Sequence, residues 1–262
     1  MTKALIIGGG IGGLIGAIAL RRAGIDATVY ERGRELQEVG AGIALASNAM
    51  KALSLLGLAN RIAEIGLPLA SATIKTCKGQ VIVRAGDQTG NVVNSCVHRV
   101  DLQQTLVECL GEEHLRLGCE FTGIECSGNT VRACFANGEV ETGDLLIGAD
   151  GVRSAVRASI HGTGMLRYAG YTAWRAVTPF TMPPTSSESW GCGRRFGIVP
   201  IGNDRIYWFA TMNAPEGESD PPQGRKEQLL QVFRGWHQPI EAILVSTGSS
   251  ATCATTFTTV SR

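Results

Sequence analysis

The chain has 262 residues, 44% of them hydrophobic and 18% charged, a composition that excludes a disordered or fibrous protein and allows one large or two ordinary domains. A net charge of +1 gives no reason to expect nucleic acid or an acidic membrane surface as a partner. Eight cysteines form no CxxC pair and no metal-ligand spacing with the four histidines, so free thiols and no metal are expected.

Residues 3–7 (KALII) are a short apolar β run, and residues 11–23 read as a helix stopped by Gly24. Residues 26–31 add a second strand and complete a βαβ unit. Leu5 to Leu20 is apolar enough to resemble a secretion signal, but glycines interrupt it and Arg21-Arg22 lies on the wrong side. A buried strand, turn and helix of a cytoplasmic protein is the expectation. Helix is predicted over 47–65 with a break near Gly57, then strands at 69–76 and 80–84 around Lys78-Gly79, then helix at 101–110. Strands are next predicted at 114–117, 119–126, 130–135 and 144–149, with a helix from about Val152. From Tyr168 the pattern changes to short strands at 171–178, 195–199 and 205–211 between Pro- and Gly-rich loops. Residues 182–191 and 213–224 are the clearest loops, and helices are predicted at 225–233 and 238–245.

Gly8-Gly9-Gly10-Ile11-Gly12-Gly13 supplies GxGxxG at Gly8, Gly10 and Gly13, between the first strand and the first helix. Little side chain is tolerable there: one glycine allows the tight turn, the next lets backbone approach a diphosphate, and the third packs helix on strand. Amides at the helix N-terminus and the helix dipole then favour the anion. Glu31 closes the next strand eighteen positions after Gly13, placed to accept hydrogen bonds from a ribose diol. These residues point to an adenine dinucleotide without choosing between NAD and FAD, so an NAD-dependent dehydrogenase stays open at this point.

Further along, Gly148-Ala149-Asp150-Gly151-Val152-Arg153-Ser154-Ala155-Val156-Arg157 matches the Asp-Gly motif of the class A flavin monooxygenases, the single-component aromatic hydroxylases. His98-Arg99-Val100-Asp101-Leu102 resembles that family's Arg-x-x-Leu element, and Gly40-Ala41-Gly42-Ile43 followed by Asn48-Ala49 also fits. Tyr168-Ala169-Gly170-Tyr171 with Trp174, and Pro200-Ile201-Gly202 before Tyr207-Trp208-Phe209, extend the likeness to about residue 245. The resemblance implies an α/β fold: a Rossmann-like (GR2-type) FAD-binding domain of residues 1–68 and 99–165, interleaved with a β-rich substrate domain of residues 69–98 and 166–245.

It further implies FAD as cofactor, held by Gly8, Gly10, Ile11, Gly12, Gly13, Glu31, Arg32, Gly42, Arg99, Phe121 and Asp150. Glu31 would hold the adenosine ribose, Arg32 and Arg99 the diphosphate and ribityl region, and Phe121 a backbone contact near adenine. Arg99 also reads as a helix-end surface charge, Asp150 as an N-cap, and Arg157 as structural. In the family NADH or NADPH reduces the flavin, and one atom of O2 passes to a small, electron-rich aromatic ring; the flavin carries the chemistry while protein excludes water. Arg195 and Tyr207 match ring-facing positions of urate-hydroxylase-like members, where arginine would hold an anionic substrate and tyrosine orient it. The plain alternatives are a solvated Arg194-Arg195 pair and a core aromatic. Ala173 replaces the polar residue those members carry before the tryptophan, which argues against urate itself.

The family continues into a Gly-Asp-Ala-Ala-His-Pro-like segment that does not occur here; neither Gly86-Asp87 nor Gly143-Asp144 carries the remainder of that motif. The C-terminal part is therefore expected to be missing, with weak FAD binding, little hydroxylation, or a non-catalytic remnant as the consequence. Ser246 to Arg262 is Ser/Thr-rich with no charge before Arg262, an atypical tail for this composition. A shifted reading of the codons from Ala251 permits an Arg-x-Asp-Ile-Tyr-Asp-Arg-x-Pro segment like the family's, so a frameshift is expected ahead of the alternative, a genuine solvated tail.

Overall fold

Four consecutive apolar side chains after Lys3 are buried, so the first strand can only sit inside a sheet covered on both faces. The structure, a computed structural model, describes residues 1–36, 41–85, 94–217 and 224–248, and the backbone of 253–260. Its first half runs β1 (Lys3–Ile7), α1 (Ile11–Arg22), β2 (Asp26–Tyr30), β3 (Gly42–Ala46), α2 (Ser47–Leu55), α3 (Ala59–Ile65), β4 (Leu67–Leu69), β5 (Ser71–Thr76), β6 (Val81–Ala85), β7 (Asn94–His98) and α4 (Arg99–Leu110). The middle holds β8 (Leu115–Arg116), β9 (Phe121–Ser127), β10 (Thr130–Phe135), β11 (Val140–Gly143), β12 (Leu145–Gly148) and α5 (Ala155–His161). The remainder is β13 (Leu166–Pro179), β14 (Thr185–Gly191), β15 (Arg194–Gly202), β16 (Arg205–Asn213), α6 (Arg225–Val232), α7 (Ile240–Ser246) and β17 (Cys253–Val260).

The chain forms two units, one of residues 1–38, 102–167 and 259–262, the other of residues 39–101 and 168–258. In the first, β12, β1, β2 and β8 form a parallel sheet in that order, and β11, β10 and β9 a separate antiparallel one. Helix α1 buries Gly13, Leu14, Ala17 and Ile18, the i, i+4 stripe that packs it on the sheet. Arg21 and Arg22 in its last turn complement the dipole, and Gly24 at φ +79° ends it. Tyr30 stacks on Phe135 with ring centroids 5.0 Å apart, in a core with Leu5, Ile7, Phe121 and Val156.

The second unit holds a small sheet ordered β3, β7, β4 and a seven-stranded sheet ordered β17, β13, β16, β15, β14, β5, β6. One face of the large sheet carries Trp174, Ala176, Phe196, Ile198, Trp208 and Ala210 and is covered by Leu229, Phe233, Ile240, Ile243 and Leu244 of the α6–α7 segment. Phe196 stacks on Trp208 at 5.4 Å and meets Phe233 edge-on at 5.2 Å.

One sequence expectation differs from the structure. Residues 182–191 are mostly strand, because Thr185–Trp190 pairs in parallel with Ser71–Thr76 more than a hundred residues earlier, a partnership that local composition cannot signal. Within the second unit, Gly42–Ala46 and Leu67–Leu69 both hydrogen-bond to β7. In the Ser/Thr-rich tail the backbone of 253–260 forms β17 beside β13, consistent with the β-branched threonines there. Gly40, Gly86-Asp87 and residues 218–223 of the 213–224 loop lie outside the described residues.

Candidate functional site

The first β-to-α turn is built almost entirely from backbone. Gly8 N donates to Tyr30 O at 2.8 Å and Ala149 N to Ile7 O at 2.7 Å, so the turn is tied to β2 on one side and to the end of β12 on the other. Gly8 has φ +113°, and a Cβ there would lie 2.5 Å from Ala149 O. A Cβ on Gly13 would run into Gly8 O, whereas one on Gly10 or Gly12 would meet no atom. The turn is therefore closed toward the protein and open outward. Gly10 is the N-cap of α1, no side chain caps the helix, and its first turn contains no acid. Uncapped amides at the positive end of a helix dipole are the donor set an anion takes.

Glu31 binds this turn from the end of β2. Its Oε2 accepts from Gly9 N at 2.6 Å and its Oε1 from Gly33 N at 2.9 Å. Each carboxylate oxygen keeps a second lone pair, enough for hydroxyl donors as well. Gln103 reaches the same turn from α4, donating through Nε2 to Gly9 O at 2.8 Å. Sequence reasoning missed Gln103; the available signal was a polar side chain beside Leu102, Thr105 and Leu106, which α4 buries. Ile11 is half-buried at the first helical position, and Arg32 is exposed.

Asp150 behaves as a helix cap and keeps something in reserve. Its Oδ2 accepts from Ala155 N at 2.7 Å and Val156 N at 3.2 Å, while its Oδ1 is buried with no hydrogen-bond partner among the described residues. Arg157 donates to Val152 O at 2.6 Å, a structural contact within the same turn. Phe121 buries its ring in the core and pairs through its backbone with Phe135. Open glycine amides, a carboxylate on the turn and an orphaned buried acceptor together fit the diphosphate, ribose and polar edge of an adenine dinucleotide.

In the second unit Gly42 opens β3 opposite His98 and lies beneath Tyr207: a Cβ on Gly42 would stand 2.6 Å from the Tyr207 Cβ. Exposed Arg99 begins α4, its amide donating to Ala41 O at 2.8 Å. Tyr207 and Arg195 share the sheet face opposite Trp208. Cross-strand rows on that face are Val177–Tyr207–Val199, Arg175–Phe209–Gly197 and Ala173–Thr211–Arg195. The Phe209 ring lies over Gly197 and 6.0 Å from the Tyr207 ring. Arg175 and Phe209 are thus residues of this face that sequence reasoning did not single out. Burial raises the Tyr207 phenol above its usual range, partly offset by the Arg175 charge, so it stays a protonated donor at neutral pH. Arg195 is engaged locally, 3.5 Å from Glu188 and stacked 5.0 Å from the Trp190 ring centre.

Gly42→Ala is expected to push the Tyr207 side chain from its place and lower stability by about 2 kcal/mol, the range of core overpacking, measured as a lower urea midpoint. Among the described residues there is no cluster of metal-binding side chains and no helix long and apolar enough to cross a membrane.

The same geometry has counterparts among known proteins. The sequence pattern of the family described as "FAD binding domain" matches residues 1–251. Aurachin C monooxygenase/isomerase of Stigmatella aurantiaca is 44% identical over 255 residues, covering 94% of this chain and 66% of that protein. The 2-heptyl-3-hydroxy-4(1H)-quinolone synthase of Pseudomonas aeruginosa is 33% identical over 224 residues, 84% of this chain and 59% of that one. The crystal structure of Klebsiella pneumoniae HpxO with FAD and uric acid superposes with a TM-score of 0.91 at 28% identity, over 99% of this chain and 68% of that one. The chain thus spans about two thirds or less of the length of these curated relatives.

Proposed function

The chain belongs to the FAD-binding family of class A FAD-dependent monooxygenases, and from that membership we propose that it hydroxylates a heteroaromatic ring bearing an apolar substituent. The overall reaction balances as substrate C–H plus O2, NADH or NADPH and a proton, giving substrate C–OH, oxidised nicotinamide and water. Bound FAD supplies the redox chemistry that activates O2. The observation that carries the reading is the Gly8–Gly13 turn with Glu31 Oε2 on Gly9 N at the uncapped start of α1. There the turn amides hold the diphosphate, Glu31 adds the ribose diol, and Gln103 fixes the turn. Asp150 Oδ1 offers a buried acceptor to the cofactor. Gly42 and Arg99 take the roles that the family resemblance gives them toward the same cofactor.

Tyr207 donates a hydrogen bond that orients the substrate ring, and the Phe209 ring beside it provides an apolar seat. Arg175 and Arg195 supply positive charge at its margin. An alkylated quinolone suits that seat better than urate does. Two things support this: Ala173 offers no polar atom to a small polar ring, and two relatives are an aurachin C monooxygenase and an alkyl-quinolone synthase. The test is stimulation of NAD(P)H oxidation in the FAD-loaded protein. 2-Heptyl-4(1H)-quinolone is expected to accelerate it with formation of a hydroxylated product, and urate is not. Stimulation by urate alone overturns the substrate reading.

A further inference from the structure

Five contacts in the second unit close into a ring. Tyr207 packs on Gly42, and Gly42 pairs with His98 across the β3–β7 ladder. His98 Nδ1 lies 3.3 Å from Asp101 Oδ1. The other oxygen of Asp101 accepts from Arg205 Nη2 at 3.1 Å. Arg205 stands two residues before Tyr207 on β16, with buried Ile206 between them, so both project from one face. Asp101 in turn stands two residues after Arg99, in the first turn of α4, where a carboxylate also favours the helix dipole.

The ion pair therefore joins two segments that the sequence separates by about a hundred residues. One carries Arg99 and, through His98, pairs with Gly42; the other carries Tyr207. We propose that Asp101 and Arg205 are positioning residues: their pair sets the placement of the substrate-side Tyr207 against the cofactor-side Gly42 and Arg99. The proposal rests on the FAD-dependent function, because those two sides have meaning only if Gly42 and Arg99 serve FAD. Its physical basis is the way a partly buried carboxylate that bridges two partners restrains both. Both of its oxygens are used, so losing either partner frees the helix start and the β15–β16 hairpin together. Arg205 is only 29% exposed and its Nε is buried, which limits the rotamers it can take if Asp101 is neutralised.

The experiment combines FAD titration, followed by flavin fluorescence, with amide hydrogen exchange on the full chain. It compares wild type with Asp101→Asn, Arg205→Gln, their double variant and Arg205→Lys. Each neutral single variant is expected to speed exchange in both the Asn94–Asp101 and Arg205–Asn213 segments and to weaken FAD binding by about fivefold to tenfold. The double variant is expected to add little to either single one, and Arg205→Lys to restore most of the affinity. Exchange that changes only around the substituted residue, additive effects in the double variant, or unaltered FAD affinity overturns the positioning role. A wild-type chain that binds no FAD is a different result, overturning the proposed function and the inference that rests on it.

Discussion

Gly13→Ala is expected to abolish measurable FAD binding and to lower the stability of the first unit by about 3 kcal/mol, the upper end of what overpacking costs. The added methyl has no free direction. It would run into the carbonyl oxygen of Gly8 and then meet the Ala149 Cβ at 3.4 Å, and backbone cannot swing aside as a long side chain does. Relief requires α1 to move off β1, which uncovers Leu14, Ala17 and Ile18 and shifts the amides that form the anion site. Gly12→Ala is the internal control. A methyl there would meet no protein atom, so stability should hold within about 1 kcal/mol, helix propensity favouring alanine over glycine. Urea unfolding with FAD titration of the two variants separates packing from ligand contact. Equal stability loss at both positions would show that the tightness of the turn is not what matters.

Glu31→Ala is expected to weaken FAD binding about 100-fold, roughly 2.7 kcal/mol. The carboxylate holds Gly9 N and Gly33 N at 2.6 and 2.9 Å, so its removal strips two charge-assisted bonds from the turn as well as the acceptors for a ribose. Glu31→Gln keeps one acceptor oxygen but turns an amino group toward an amide donor, and about a tenfold loss is expected. The order alanine, glutamine, wild type in affinity distinguishes a ligand-holding carboxylate from a turn brace. A brace alone would lower stability in parallel while leaving the affinity of the folded fraction unchanged.

The parts legible in the sequence are those whose signals are local. The β1–α1–β2 unit announces itself through KALII, the glycine turn and Gly24, each a short-range constraint, and the structure places Glu31 on the turn as spacing requires. Strand β14 was not legible, because TSSESWG has few apolar residues and becomes a strand only through β5 and β15 on its two sides. The same limit hid β3, β4 and β7, three short strands that stabilise one another across gaps in the chain. In the candidate site, the family resemblance pointed to Gly42, Arg99 and Tyr207 one by one. Their closure through Asp101 and Arg205 depends on which residues meet in space, and no spacing encodes it. Arg195 illustrates the converse: it shares a sheet face with Tyr207, yet Glu188 and Trp190, invisible as partners in sequence, already engage it.

The proposed cradle of backbone amides for a diphosphate at the first β-to-α turn, with Glu31 on the adjoining sugar, is tested most directly by competition against bound FAD, monitored by flavin fluorescence, in the purified chain. Saturable binding that ADP displaces and riboflavin, which lacks the diphosphate, does not is the expected result. Absence of saturable binding, or displacement by riboflavin but not by ADP, would contradict it.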